Sequence, residues 1–418
     1  MSSAPIAPSL PPIRSTPVAK RHGIPPLPLL TVINFFNYVD RQVVYGMTPH
    51  IGEAFHLSNS KLGLLAWANL FVFAIASLIS GPIADRVGPR KVIFTGIMVW
   101  SIATIGSALS TSFPMLLFFR ALVGVGEGAY GPSANTLLCA DAPPEKRGRA
   151  LGIYNVGMAL GGTSGLVLGA MLAPLLGWRG VFWIAGGPSI LLALCSAFLS
   201  APERLERPKA TATRARSFLL SPTYLLALGG GILATFGASS LIFWIRTLVI
   251  EERHFSVTAG SGFMAVVGLV AGVGGVIVGG YAGDAFNRRR NGGHALTIGL
   301  SMLIGAPVGA VALMVSGHAF FMVMTFSAAF LFSVYNGPSA AVVDELGPPQ
   351  YGATLQAVFM FGLHVLGNAP APSAVGAISD HFHTSIATSL QAANIAFALS
   401  GVLFLVVAAR QRKAPAFH

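Results

Sequence analysis

Apolar residues run along this chain in long blocks, and polar residues gather in the short breaks between them. Twelve blocks approach the roughly 20 residues that a helix needs to cross a bilayer core of about 30 Å. They cover 27–50, 62–82, 92–111, 115–139, 148–172 and 180–200, then 222–247, 259–282, 295–315, 319–342, 350–376 and 388–408. The short alternating segments of a membrane barrel do not appear, so the predicted elements are helices. A Pro-rich polar tail (1–26) precedes the blocks and a short tail (410–418) follows them. A Pro-, Arg- and Thr-rich linker (201–221) divides them into two bundles of six, 27–200 and 222–409. The expected fold is an all-α, multi-pass membrane protein.

Composition narrows the function. Only 10% of the 418 residues are charged and 54% are hydrophobic. That is too little charge to cover a soluble enzyme of this size. Cys139 and Cys195 lie in apolar runs without ligand spacing. The chain carries no phosphate-binding Gly-x-x-x-x-Gly-Lys-Ser/Thr loop and no nucleophile–base pairing, so neither ATP drive nor enzymatic chemistry is expected, and no cofactor. Asp380-His381-Phe382-His383 offers three possible metal ligands but no fourth nearby, so no metal site is assigned.

The net charge of +12 suggests topology rather than nucleic acid. Of the 26 Lys and Arg, 20 fall on the side of the two tails, including Arg86, Arg90 and Arg288-Arg289-Arg290. Lys61, Arg179 and Arg253 fall on the other side, and Arg41, Arg120 and Arg246 lie within blocks. Positive charge marks the cytoplasmic side, so both termini are expected inside, with a bacterial inner membrane the expected location. The triple arginine is expected to anchor to anionic lipid. Arg246, near an outer end, is expected to snorkel.

The halves repeat. Gly81-Pro82-Ile83-Ala84-Asp85-Arg86-Val87-Gly88-Pro89-Arg90-Lys91 follows the second block, and Gly280-Tyr281-Ala282-Gly283-Asp284 leading to Arg288-Arg289-Arg290 follows the eighth. Gly131-Pro132-Ser133-Ala134 recurs as Gly337-Pro338-Ser339-Ala340, and Pro143-Pro144 recurs as Pro348-Pro349. Six helices return each half to the same side, which implies parallel copies about an axis along the membrane normal.

On these residues the chain resembles the major facilitator superfamily over almost its whole length. The 81–91 stretch is similar to that family's Gly-x-x-x-Asp-Arg-x-Gly-Arg-Arg/Lys signature, with Pro89 inserted before the basic pair. Two further stretches resemble the Spinster branch of lipid transporters. They are Asn34-Phe35-Phe36-Asn37-Tyr38-Val39-Asp40-Arg41 and Arg120-Ala121-Leu122-Val123-Gly124-Val125-Gly126-Glu127-Gly128-Ala129-Tyr130. The resemblance implies alternating access by two bundles, with membrane lipid and an amphiphilic substrate such as a lysophospholipid or sphingoid lipid as partners. The remaining alternatives are a symporter for small organic anions and a non-transporting receptor or scaffold. A monomer is expected, without nucleic acid.

Charges at membrane depth are costly and mark function. Asp40 and Arg41 lie about 20 Å along the first block at 1.5 Å per residue. Arg120 and Glu127 are seven residues apart, nearly two turns, and so share a face of the fourth block. Asp40 is expected to pair with Arg120 and Arg41 to reach Glu127, forming a network that binds a polar head and loads or releases a proton as its geometry shifts. Tying two helices together is the plainer alternative. Burial favours the neutral acid and a neighbouring arginine favours the carboxylate, so small displacements decide which form prevails.

Asn34, Asn37, Tyr38, Tyr130 and Asn155 are candidate cavity residues in the first half, and Trp244, Tyr335, Asn336 and His364 in the second. His364 is also a candidate proton carrier. The cavity is expected to be charged on one side and greasy on the other. Gly81, Asp85, Arg86, Gly88 and Arg90 are expected to gate the cytoplasmic side, with Asp85 facing the start of the eleventh helix near Tyr351 and Gly352. By symmetry, Asp284 is expected to face the start of the fifth helix near Gly148. The glycines at 157, 161, 165 and 169 form a stripe expected to pack against the eighth helix.

Overall fold

A computed structural model describes residues 23–142, 147–200, 217–348 and 351–412. The first half contains α1 (Pro26–Gly46), the short α2 (Thr48–Phe55), α3 (Asn59–Val87), α4 (Pro89–Ala108), α5 (Phe113–Asp141) and α6 (Arg147–Ser196). The second contains α7 (Pro222–Arg246), α8 (Val257–Val266), α9 (Val273–Arg289), α10 (Gly293–Met314), α11 (His318–Ser333) and α12 (Ser339–Asp344). It ends with α13 (Gly352–Gly362), α14 (Ala371–Phe382), the short α15 (Ile386–Ser389) and α16 (Gln391–Gln411). Wider, π-helical turns at Thr247–Glu252, Val267–Gly272 and Leu363–Asn368 extend α7, join α8 to α9, and lead from α13 towards α14.

Ten described helical stretches are long and apolar enough to cross a membrane. One of them holds two crossings, because Gly177 breaks α6 at φ 68°, a left-handed conformation that glycine adopts without strain. The twelfth crossing is α1, whose apolar run is diluted by Asn34, Asn37, Asp40 and Arg41. The expected twelve crossings are therefore present. Local signals set their ends. Ser112, Ser221 and Ser256 accept backbone N–H groups at the starts of α5, α7 and α8. Gly88, at φ 92°, turns the chain from α3 into α4, and Pro89 opens α4.

The end holding Pro26 and Gln411 is called proximal, and the opposite end distal. The glycine stripe does not pack chiefly on the eighth helix. Gly157, Gly161, Gly165 and Gly169 of α6 press against the backbone of α1 at Thr31, Phe35, Val39 and Val43, where a Cβ would meet a carbonyl oxygen. Both sets step by four residues, so two i, i+4 rows interlock at backbone distance. The eighth helix meets α6 at Gly268, whose added Cβ would strike Thr163.

The halves join distally. The Asp380 carboxylate accepts the backbone N–H groups of Asn59 (3.1 Å) and Ser60 (2.8 Å) at the start of α3. Asn59 Nδ2 donates to Ser379 Oγ at 3.3 Å. Gly63 and Gly376 allow α3 and α14 to approach at backbone distance. Tyr45 and Phe243 meet with ring centroids 4.8 Å apart, within one apolar cluster that also takes in Trp178, Trp244 and Val375.

Candidate functional site

The first-half charges pair as their spacing predicts. Arg41 donates from Nε (3.1 Å) and Nη2 (2.9 Å) to Glu127 Oε2. Arg120 Nη1 lies 3.7 Å from Asp40 Oδ1, too far for a hydrogen bond but close enough for an ion pair. Two further donors reach the carboxylates. Thr104 donates to Asp40 Oδ2 at 2.7 Å, and Asn69 Nδ2 donates to Glu127 Oε2 at 3.3 Å. Hydroxyl and amide donors satisfy carboxylate lone pairs that the arginines leave open.

The two pairs differ in setting. Asp40 and Arg120 are sealed within the first half, 0% and 2% exposed, with the Arg120 guanidinium 5.9 Å from the Phe182 ring centroid. There Asp40, Thr104 and Arg120 tie α1, α4 and α5 together. Arg41 stands where the halves face each other. Its guanidinium lies 5.0 Å from the centroid of Tyr38 and 4.5 Å from that of Phe73. Phe73 also meets His364 of the second half, with ring centroids 5.3 Å apart. His364 Nδ1 bonds the Met360 carbonyl at 2.7 Å, so Nδ1 carries the hydrogen and Nε2 is left as the ring's other nitrogen. This histidine sits in the π-helical turn Leu363–Asn368, a distortion that clusters at functional positions. Phe73 gave no sequence signal, because it is one aromatic among many in apolar runs.

Several buried polar atoms have no hydrogen-bond partner among the described residues. They include Asp40 Oδ1, Arg120 Nε, Glu127 Oε1, Asn37 Nδ2 and Asn69 Oδ1. Unpaired polar atoms in packing cost free energy, so a cluster of them calls for an explanation. Here the atoms cluster around the two ion pairs.

Other candidates divide between scaffold and surface. Asn34 donates to the Tyr154 carbonyl, and Tyr130 donates to the Leu30 carbonyl while its ring meets Trp100 edge-on. Trp244 is buried and donates to the Pro372 carbonyl, so it serves the distal junction rather than the cavity. Tyr335 is buried against Phe404 inside the second half. Tyr38 is half-buried, and Asn155 and Asn336 are exposed. Arg246 does not snorkel; it is 2% exposed and pairs with Glu251 at 2.5 Å.

At the proximal end, Arg86 and Arg90 are exposed. The side chain of Asp85, and those near Gly148 and Gly352, lie outside the described residues. Asp284 bonds His294 Nε2 of its own half at 3.0 Å. His294 Nδ1 bonds Glu345 at 2.6 Å, and Glu345 also accepts from Asn287 and Gln411. This cluster ties α9, α10 and α16 to the segment after α12. The distal Asp380 was read from sequence only as part of a weak metal pattern, and no metal-ligand group occurs among the described residues.

The model of the Major Facilitator Superfamily matches residues 30–372. The chain is 26% identical over 392 residues to an MFS-type efflux pump of Mycolicibacterium smegmatis, covering 92% of this chain and 89% of that one. It is 24% identical over 422 residues to protein spinster homolog 1 of Xenopus tropicalis, covering 94% and 80%. Its fold is similar to the crystal structure of a bacterial homologue of the human lysosomal transporter Spinster, inward-facing and unoccupied. The TM-score is 0.77 at 24% identity, covering 94% of this chain and 98% of that one.

Proposed function

The chain belongs to the major facilitator superfamily and resembles its Spinster branch, a transporter and not an enzyme; from that premise we propose that it moves an amphiphilic, lysolipid- or sphingoid-like substrate by proton-coupled alternating access. The observation that carries this reading is the position of Arg41. It is the one member of the buried tetrad placed between the halves, its guanidinium near Tyr38 and Phe73 and its positive charge held by one oxygen of Glu127. An anionic head docking on Arg41 competes with Glu127 for the guanidinium. The displaced carboxylate, buried and short of partners, takes up a proton. Reversing the exchange on the other side of the membrane releases both. Phe73 and the apolar walls accept the tail.

The test is uptake into proteoliposomes of lysophospholipids, phosphorylated sphingoid lipids and small carboxylates, with and without an imposed proton gradient. Saturable lysolipid or sphingoid uptake that collapses with the gradient supports the proposal. Uptake confined to small carboxylates moves the assignment to an organic-anion symporter, and gradient-independent uptake removes the coupling.

A further inference from the structure

Three hydrogen-bond donors reach the Glu127 carboxylate, and all three reach the same oxygen. Arg41 Nε (3.1 Å), Arg41 Nη2 (2.9 Å) and Asn69 Nδ2 (3.3 Å) converge on Oε2. Oε1 is buried and accepts no hydrogen bond among the described residues. A carboxylate can accept on both oxygens, so this one-sided arrangement leaves one oxygen open.

Asn69 is 1% exposed, and its amide is fixed on two acceptors. Nδ2 donates to Glu127 Oε2 and, at 3.4 Å, to the Arg120 backbone carbonyl. Turning the amide over would set its oxygen against both acceptors, so the chemistry decides its orientation. Backbone packing sets its position. A Cβ at Gly124 of α5 would strike the Asn69 carbonyl, and one at Gly128 the Phe73 carbonyl, so α3 lies directly on α5 at two glycines that bracket Glu127 in sequence. One turn of α3 thus serves both members of the pair, with the Asn69 amide on Glu127 and the Phe73 ring centroid 4.5 Å from the Arg41 guanidinium. Packing alone does not explain the amide. Asn69 Oδ1 is buried without a hydrogen-bond partner, a cost that a leucine of similar size would avoid.

We propose that Asn69 is a positioning residue of the transport site: it holds Glu127 Oε2 after the substrate has drawn Arg41 away, so that the proton adds at Oε1. The inference rests on the exchange of Arg41 between Glu127 and an anionic head. The amide is uncharged and does not follow the charge of the substrate. Oε2 accepts from it both as a carboxylate oxygen and as the carbonyl oxygen of the protonated acid. The proton comes from water on the side then open. The substrate anion balances Arg41 and the proton balances Glu127, so the pair stays neutral through the exchange.

Arg41→Leu stands in for the step at which the guanidinium has left, and it needs no substrate. In that background the purified full chain is measured by infrared difference spectroscopy, acid minus alkaline. The expected result is a protonated-carboxyl C=O band that Glu127→Gln removes, which separates it from any band of Asp40. Adding Asn69→Leu is expected to move the band to higher wavenumber, because its C=O loses a donor. Asn69→Ala is expected to move it the same way and serves where leucine is not accommodated. Proteoliposome uptake of lysophosphatidylglycerol, with Arg41 in place, gives a second readout. Asn69→Leu is expected to raise KM about tenfold, the scale of one hydrogen bond to a charged group. In Glu127→Gln the same change is expected to add nothing. A band that stays in place, the absence of any Glu127 band, or an equal rise in KM in both backgrounds overturns the inference. Wild-type protein that moves no lysolipid overturns the transport reading instead and leaves the infrared result standing.

Discussion

At the scale of single residues, the two buried ion pairs have different work, and substitution separates them. Asp40→Asn leaves the Arg120 charge sealed and without its counter-ion. Breaking a buried pair in this way costs about 3 kcal/mol. The expected outcome is a clear fall in melting temperature in detergent, with transport per folded molecule much less affected. Glu127→Gln acts on Arg41, which keeps the rings of Tyr38 and Phe73 close by. Here stability is expected to change little while uptake loses its dependence on the proton gradient, because the amide has no proton to exchange. Arg41→Lys keeps the charge but gives up the planar fork and the ring contacts, so apparent substrate affinity should weaken roughly tenfold at similar expression. Dose–response curves in proteoliposomes check the last two. Proton dependence that survives in Glu127→Gln would move the coupling to another group, with His364 the next to examine.

How far these roles were legible depends on what each contact requires. The Arg120 and Glu127 pairing with α1 was readable because both lie on one helix face and the depth of each follows from counting residues. Thr104 and Asn69 were not singled out as partners, because short polar side chains in membrane helices usually bond their own backbone. Phe73, His294 and Asp380 matter through the register between helices far apart in sequence. A single chain does not carry that register in its pattern of apolar residues.

At the scale of elements, the distal junction depends on Asp380 at the end of α14 bonding the first N–H groups of α3. A carboxylate there meets donors that no turn of helix satisfies, with the helix dipole in its favour. Asp380→Asn keeps the shape and removes the charge. The expected effect is a shift of about tenfold from the distally closed towards the distally open state, the scale of a lost charge-assisted hydrogen bond. Double electron–electron resonance between spin labels at Ala54 and His381 measures it. A longer-distance population should appear in the variant, and identical distance distributions would remove Asp380 from the gate. The glycine row of α6 shows the other kind of element-level lesson. Its small-residue spacing announced close packing, but the partner named from sequence was the eighth helix, whereas α1 supplies the matching row. Any residue with a Cβ at Gly161 forces the two backbones apart, so Gly161→Val is expected to cost several kcal/mol and to show as poor recovery of folded protein.

At the scale of the whole molecule, the repeat, the twelve crossings and the asymmetry of charge belong to one arrangement. Each half returns to the side it left, and that side carries 20 of the 26 basic residues. Such a bias orients a chain during insertion, because moving lysine and arginine across the hydrocarbon is unfavourable. The proximal end should therefore face the cytoplasm, which makes the closed distal junction the outer gate. Cysteine labelling tests the orientation directly. Cys139 and Cys195 are the only cysteines, and Ser in their place gives a clean background. A single cysteine at Thr384, beyond the distal end of α14, is expected to react with a membrane-impermeant maleimide in intact cells. A cysteine at Asn291, in the turn between α9 and α10, should react only after the membrane is opened. The reverse pattern would turn the molecule over, making the latch at Asp380 an inner gate, while leaving the pairing of Arg41 with Glu127 untouched.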